Sequence, residues 1–200
     1  HRRADEQRAQ ARHQRRQRRP ECEGDRARQH RSAHADAVGH ATGGHRAREL
    51  AAKRGLRFEV VVGAEITTRH GHLLALFIEE APPSFRSAEA TIEAIHAQGG
   101  LAIVPHPMSW LTRSLSERTI DRIVSRREAG VTFDGIETAN PSLAGKMTAA
   151  KTRARNRSWA LPELGGSDAH HLPHVATGWT EFEGVGATGL SAAMLYQFFG

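Results

Sequence analysis

Two hundred residues suffice for one domain with a sizeable core and are too few for two ordinary ones. A single cysteine, Cys22, excludes an internal disulfide framework, and no run approaches the roughly 20 apolar residues of a membrane span. The net charge of +6 falls wholly within residues 1–34, where eleven arginines face five acids; the rest of the chain holds seventeen of each. The charge-balanced body therefore gives no electrostatic sign of a polyanion partner. The opening residues lack the apolar region of a signal peptide, and with one cysteine this leads to an expected cytoplasmic location.

Residues 1–37 contain no Val, Ile, Leu, Met, Phe, Trp or Tyr; Val38 is the first. Such a stretch cannot bury apolar surface to offset its ordering entropy, so residues 1–35 are expected to be disordered. From Ala41 the text changes to that of a globular α/β protein. A helix over residues 44–54 stops at Gly55. Phe58–Val62 is β-branched and reads as a strand ending at Gly63-Ala-Glu65. His72–Ile78 is a second strand-length apolar run. Pro82-Pro83 breaks the chain, and Ser87 caps a helix that carries Ile92 and Ile95 on one face and stops at Gly99-Gly100. Leu101–Val104 is a buried strand running into Pro105-His106-Pro107. A helix over 116–128 places Ile120, Ile123 and Val124 on one stripe, with Gly130 at its end. Phe133–Glu137 is a short strand leading to Asn140-Pro141, a basic helix spans 144–157, and 159–164 enters Gly165-Gly-Ser-Asp168-Ala-His170-His171. This alternation points to a parallel α/β core, either a barrel or an open sheet. The tail, residues 185–200, has no assignable role.

Position gives these residues their meaning. Glu65, His106, Asn140 and the Asp168/His170 pair each follow a different expected strand, and α/β proteins build sites where loops converge at the C-terminal ends of strands. Carboxylate plus neutral imidazole is a ligand set for Zn, Mn or Fe. Singly, each residue has a structural explanation: Glu65 starting a turn, His106 packed between prolines, Asp168 capping a turn, Asn140 capping the turn at Pro141. Their coincidence favours a metal site.

Gly63-Ala-Glu65, Val104-Pro-His106-Pro107, Phe133-Asp-Gly-Ile-Glu-Thr-Ala-Asn140-Pro141 and Gly166-Ser-Asp168-Ala-His170 together resemble the polymerase-and-histidinol-phosphatase (PHP) family over residues 36–184, most closely its small bacterial phosphoesterases. The resemblance implies a distorted seven-stranded β/α barrel with two or three divalent ions (Mn, Zn or Fe) at its C-terminal mouth. It also implies hydrolysis of a phosphate mono- or diester, such as a nucleotide or short oligonucleotide, by a metal-activated water. Carried over, Glu65, His72, His106, Asp168 and His170 are metal ligands, Asp168 is also catalytic, and Arg113 and Asn140 meet substrate.

Two family motifs, Asp-Leu-His-x-His and Thr-Asp-His, have no counterpart here. The family pattern resumes near residues 34–36, which makes His34 a candidate ligand. An arginine-rich, aliphatic-free stretch is also what GC-rich coding DNA yields out of frame, and on that reading the first barrel strand is missing or corrupted. The competing reading is a non-catalytic metal- or nucleic-acid-binding protein with a basic N-terminal arm.

Overall fold

Helix α1 (Thr42–Lys53) precedes strands β1 (Gly63–Thr67) and β2 (His72–Leu76); then follow α2 (Ala88–His96), β3 (Leu101–Val104), α3 (Glu117–Val124), β4 (Gly135–Ala139), α4 (Leu143–Trp159) and β5 (Glu163–Gly165). This computed structural model describes residues 41–182. The basic segment 1–35 with His34, and the tail 185–200, lie outside the described residues.

Connection length decides the pairing. Only Thr68–Gly71 separates β1 from β2, too short for a crossover, so the two form an antiparallel hairpin with Gly63 opposite Leu76 and Thr67 opposite His72. The buried Thr68 hydroxyl closes the turn by donating to the Gly71 carbonyl at 2.6 Å. Strand β2 pairs antiparallel with β3, whereas β3, β4 and β5 are parallel, with α3 and α4 as the intervening helices. The spatial order follows the chain, β1-β2-β3-β4-β5. Because β2 alone runs against the others, the C-terminal ends of β1, β3, β4 and β5 lie at one edge with the start of β2.

Strand periodicity sorts the side chains onto two faces. One carries Ala64, Ile66, Leu73, Ala75, Val104 and Ile136, all buried against Ile92 and Ile95 of α2 and Ile120 and Ile123 of α3. Each such isoleucine contributes about 1.5–3 kcal/mol by leaving water. The other face holds a smaller cluster of Leu76, Leu101, Ile103 and Leu164, with Glu65, His72 and Glu137 at its mouth end. Serine caps begin the helices: Ser87, Ser116 and Ser142 accept from the N–H groups of Ala90, Thr119 and Gly145. Helix α4 approaches the end of β4 so closely that a Cβ on Gly145 would collide with Asn140.

The structure corrects the expected architecture. Instead of a seven-stranded β/α barrel, the described residues form an open five-stranded mixed sheet with four α-helices. Among the described residues neither edge is closed: β1 pairs only with β2, and the three-residue β5 only with β4. The core is parallel only from β3 to β5: the short Thr68–Gly71 turn forces antiparallel pairing of β1 with β2, and β2 also pairs antiparallel with β3. The expected strand at 58–62 is also displaced. Ladder pairing starts at Gly63, and Val62 packs instead beneath α1, where a Cβ on Gly44 would stand 3.2 Å from it. Glu65 is therefore inside a strand, not after one. The helix expected over 116–128 ends at Val124 and gives way to a 3₁₀ turn, Arg127–Ala129, closed by Gly130 in the left-handed region at φ 82°.

Candidate metal centre

The hairpin register brings the first two donors together. Glu65 lies opposite Leu74 and His72 opposite Thr67, so Glu65 and His72 are diagonal neighbours on one face, within reach of long side chains. His72 is held further by its N–H donating to the Arg113 carbonyl at 2.6 Å. The third donor comes from beyond β3. His106 has φ 28°, in the left-handed region, although Pro107 follows it and would favour an extended backbone. Such a conformation costs about 1–3 kcal/mol and persists only where surroundings impose it. Here the surroundings are side chains. The His106 N–H donates to Glu137 Oε2 at 2.7 Å, and its carbonyl accepts from the Ser114 hydroxyl at 2.6 Å.

These constraints aim the His106 ring at Glu65. Because the Ser114 proton is committed to the carbonyl, its oxygen accepts from the imidazole Nδ1–H at 2.8 Å, and Thr112 joins the same group. Nε2 is left as the lone-pair nitrogen, 3.1 Å from Glu65 Oε1. His72 Nδ1 lies 2.5 Å from the same oxygen, and the two rings meet edge-on with centroids 5.7 Å apart. The donor atoms of Glu65, His72 and His106 all lie within 4.8 Å of one another.

Two features show that this set suits a cation. His72 Nδ1 is buried and, despite its closeness to Glu65, has no hydrogen bond of acceptable geometry. His106 Nε2 and Glu65 Oε1 are two acceptors facing each other, a pairing that needs a proton or a metal ion between them. One carboxylate oxygen with two imidazole nitrogens matches Zn, Mn or Fe chemistry.

The electrostatics follow. Burial alone would raise the Glu65 carboxyl, but its contacts with His106 and His72 outweigh burial and bring it down to about 2. Burial alone would depress the His106 imidazolium, but Glu65, then Glu137 and Asp168, outweigh it and leave His106 above its ordinary value. Glu137 moves upward, chiefly because it is desolvated, against the bonds from the His106 N–H and Asn140.

The pocket beside these donors is lined by Glu65, His106, Glu137, Gly166, Ser167 and Asp168, with Leu74 and Pro105. Asp168 thus reaches the mouth from β5, again with a left-handed φ of 48°. His170 does not line the pocket: its half-exposed ring sits with Nδ1 3.0 Å from the Asp168 carbonyl. Arg113 is exposed in the loop after β3, and its carbonyl serves His72. Asn140 does cap the turn at Pro141, its Oδ1 accepting from the Ser142 N–H at 2.9 Å, and its amide donates to Glu137 Oε2 at 3.0 Å. His34 lies outside the described residues.

Sequence reading missed Glu137, Ser114 and Thr112. Glu137 sits in the quoted Gly-Ile-Glu string, and the alternation with Ile136 could have flagged it as a carboxylate on the mouth face.

Residues 150–193 match the family model described as PHP-associated. Uncharacterized protein MJ1587 of Methanocaldococcus jannaschii is 43% identical over 82 residues, 41% of this chain and 43% of that protein. The crystal structure of a two-domain protein containing a predicted PHP-like metal-dependent phosphoesterase, from Bacteroides vulgatus, aligns with 67% of this chain and 38% of its own. Its identity is 24% and its TM-score 0.46. The chain thus spans less than half the length of either protein. Residues 150–193 are thus similar to a PHP-associated segment, and Pro105, His106, Gly166, Ser167 and Asp168 of the His-Pro and Gly-Ser-Asp-Ala-His strings line one pocket.

Proposed function

We propose that the chain is a metal-dependent phosphoesterase whose substrates are nucleotides or short oligonucleotides. The observation that carries this is the Glu65–His72–His106 cluster, with its orphaned His72 nitrogen and its opposed lone pairs. Glu65, His72 and His106 would hold a divalent ion, with Asp168, which lines the same pocket, as a further donor. Such an ion, when bound, supplies Lewis acidity toward a phosphoryl oxygen and a nucleophilic water at neutral pH.

The chain's own residues supply the rest. Glu65 stays ionised at any working pH, since its carboxyl is held at about 2. Ser114 and Thr112 keep the His106 Nδ1 protonated, so the ring offers Nε2. Pro105 and Leu74 give the pocket an apolar wall. Arg113 is assigned to substrate phosphate.

The rim supports the substrate class. The segments 68–71, 85–87, 105–116, 140–147 and 166–182 edge the mouth and carry Arg69, Arg86, Arg113 and Lys146. Apart from Asp168 in the pocket, their one carboxylate is Glu181, which accepts from the Trp179 indole. Phe85, Trp110 and Trp179 are exposed in the same segments. Cations interleaved with exposed aromatic faces suit a phosphate ester bearing a base that can stack.

The test is phosphate release from a nucleoside monophosphate and a dinucleotide by the purified chain, with Mn, Zn or Fe supplied singly. Turnover should vanish with chelator and return with the ion. Turnover that ignores chelator, or metal binding without hydrolysis of any phosphate ester, would overturn the reading.

A further inference from the structure

One buried carboxylate ties together the ends of three strands. Glu137, from β4, is 7% exposed. Its Oε2 accepts from the His106 N–H beyond β3 at 2.7 Å and from the Asn140 amide at 3.0 Å. Its Oε1 occupies the space above Gly166, beyond β5, where a Cβ would collide with it. The grip on His106 matters because that residue is in the left-handed region without being glycine. Releasing its N–H would remove the bond that offsets this strain and leave the backbone free to take the extended conformation favoured before Pro107. Such a change of φ would turn the imidazole away from Glu65.

We propose that Glu137 is a positioning residue for the metal centre: clamped by Asn140 and seated over Gly166, it fixes the left-handed turn that points His106 Nε2 at Glu65 and His72. The inference rests on the metal-binding reading of that cluster. It also explains why position 166 is glycine, since any side chain there would expel the carboxylate from its seat.

The experiment measures two things on the full chain. One is Mn affinity by calorimetry; the other is hydrogen-exchange protection of the His106 amide by NMR in the metal-free protein. Glu137→Ala should weaken Mn binding about 10- to 100-fold, the range for losing an outer partner of a metal ligand, and should release the His106 amide. Glu137→Gln keeps an acceptor for that N–H and should bind Mn within about threefold of the parent with the amide still protected, on the same scale. Gly166→Ala should mimic Glu137→Ala, yet cost nothing more when added to it. This cycle tests the contact even if Glu137→Ala folds poorly. Parent-like Mn affinity in Glu137→Ala or Gly166→Ala overturns the proposal, as does equal weakening in the Gln variant, which would make charge the cause. Failure of the unmutated chain to bind Mn would instead refute the metal-site reading, with the His106 amide still reporting whether Glu137 sets the turn.

Discussion

Metal binding at this centre should be linked to proton release, and the geometry identifies the proton. His106 presents Nε2 to the site, and its imidazolium is stabilised because Glu65, Glu137 and Asp168 outweigh the effect of burial. Glu65 has no proton to give, being ionised down to about pH 2. Below the raised pKa of His106 a divalent ion must therefore displace the His106 proton, and that proton alone should lower apparent affinity about tenfold, or about 1.4 kcal/mol, for each further pH unit. Zinc titrations by calorimetry between pH 5 and 8, in two buffers of different ionisation enthalpy, would count the protons released. At least one should appear at the acid end and fewer above neutrality. Glu65→Gln removes the largest influence raising His106 and leaves burial to depress it, so the midpoint should move to lower pH even as absolute affinity falls. Affinity constant from pH 5 to 8, or a midpoint unmoved by Glu65→Gln, would refute the reasoning.

The same pair contributes to the pH profile of the metal-free protein. Glu65 has a depressed folded pKa, so its contribution is complete above its ordinary 4.5 and is lost as pH falls through about 2. His106 has a raised folded pKa, so its contribution is complete below 6.5 and is lost as pH rises through the folded value. Together they favour the metal-free fold most between those two ordinary values. Bound metal, which needs the bare imidazole, should shift the optimum upward.

Three further outcomes are expected. Asp168→Asn should sharply reduce turnover while leaving the metal-free melting temperature nearly unchanged, because shape is kept and charge at the pocket is lost; parent-like turnover would place Asp168 outside the chemistry. Trp110 is 76% exposed, so Trp110→Ala should leave melting unchanged. Lost stacking of about 1–3 kcal/mol should raise KM for a dinucleotide about 5- to 150-fold, and an equal rise for glycerol phosphate would count against a stacking role. Away from the site, His96 Nε2 bonds Asp134 at 2.8 Å, and this bond, against burial, raises the His96 pKa. That support is complete below pH 6.5 and fades as pH rises through the folded value, so His96→Asn should flatten the decline of melting temperature above neutrality.

Elements formed by local forces were legible in the sequence. Ser87 starts its helix, Ile92 and Ile95 share its buried face, and Leu101–Val104 is a strand with the bounds expected. The sheet's closure was not legible, because edge pairing depends on segments far apart in the chain and a hydrophobic pattern does not record which edges meet. Even the orientation of β2 hinged on a short turn whose consequence is topological. The valines at 60–62 illustrate a similar limit: β-branched residues mark a fit to a half-buried surface, and here a helix provides part of that surface.

At the site, residues at strand ends were legible because chain direction alone takes them to a common edge. The supporting residues were not, for a reason visible at His106. A His-Pro dipeptide reads as extended, and the structure instead places the residue in the left-handed region. The strain of about 1–3 kcal/mol is of the same order as the hydrogen bonds set against it. One is charge-assisted, donated by the His106 N–H to Glu137 and worth about 1.5–3 kcal/mol, and one is neutral, donated by the Ser114 hydroxyl to the His106 carbonyl and worth about 0.5–1.5 kcal/mol. The balance is close, and it depends on partners at a distance of eight and thirty-one residues. Local sequence carries the strain but not its compensation, so the turn that aims the ligand becomes visible only when β3 and β4 lie side by side.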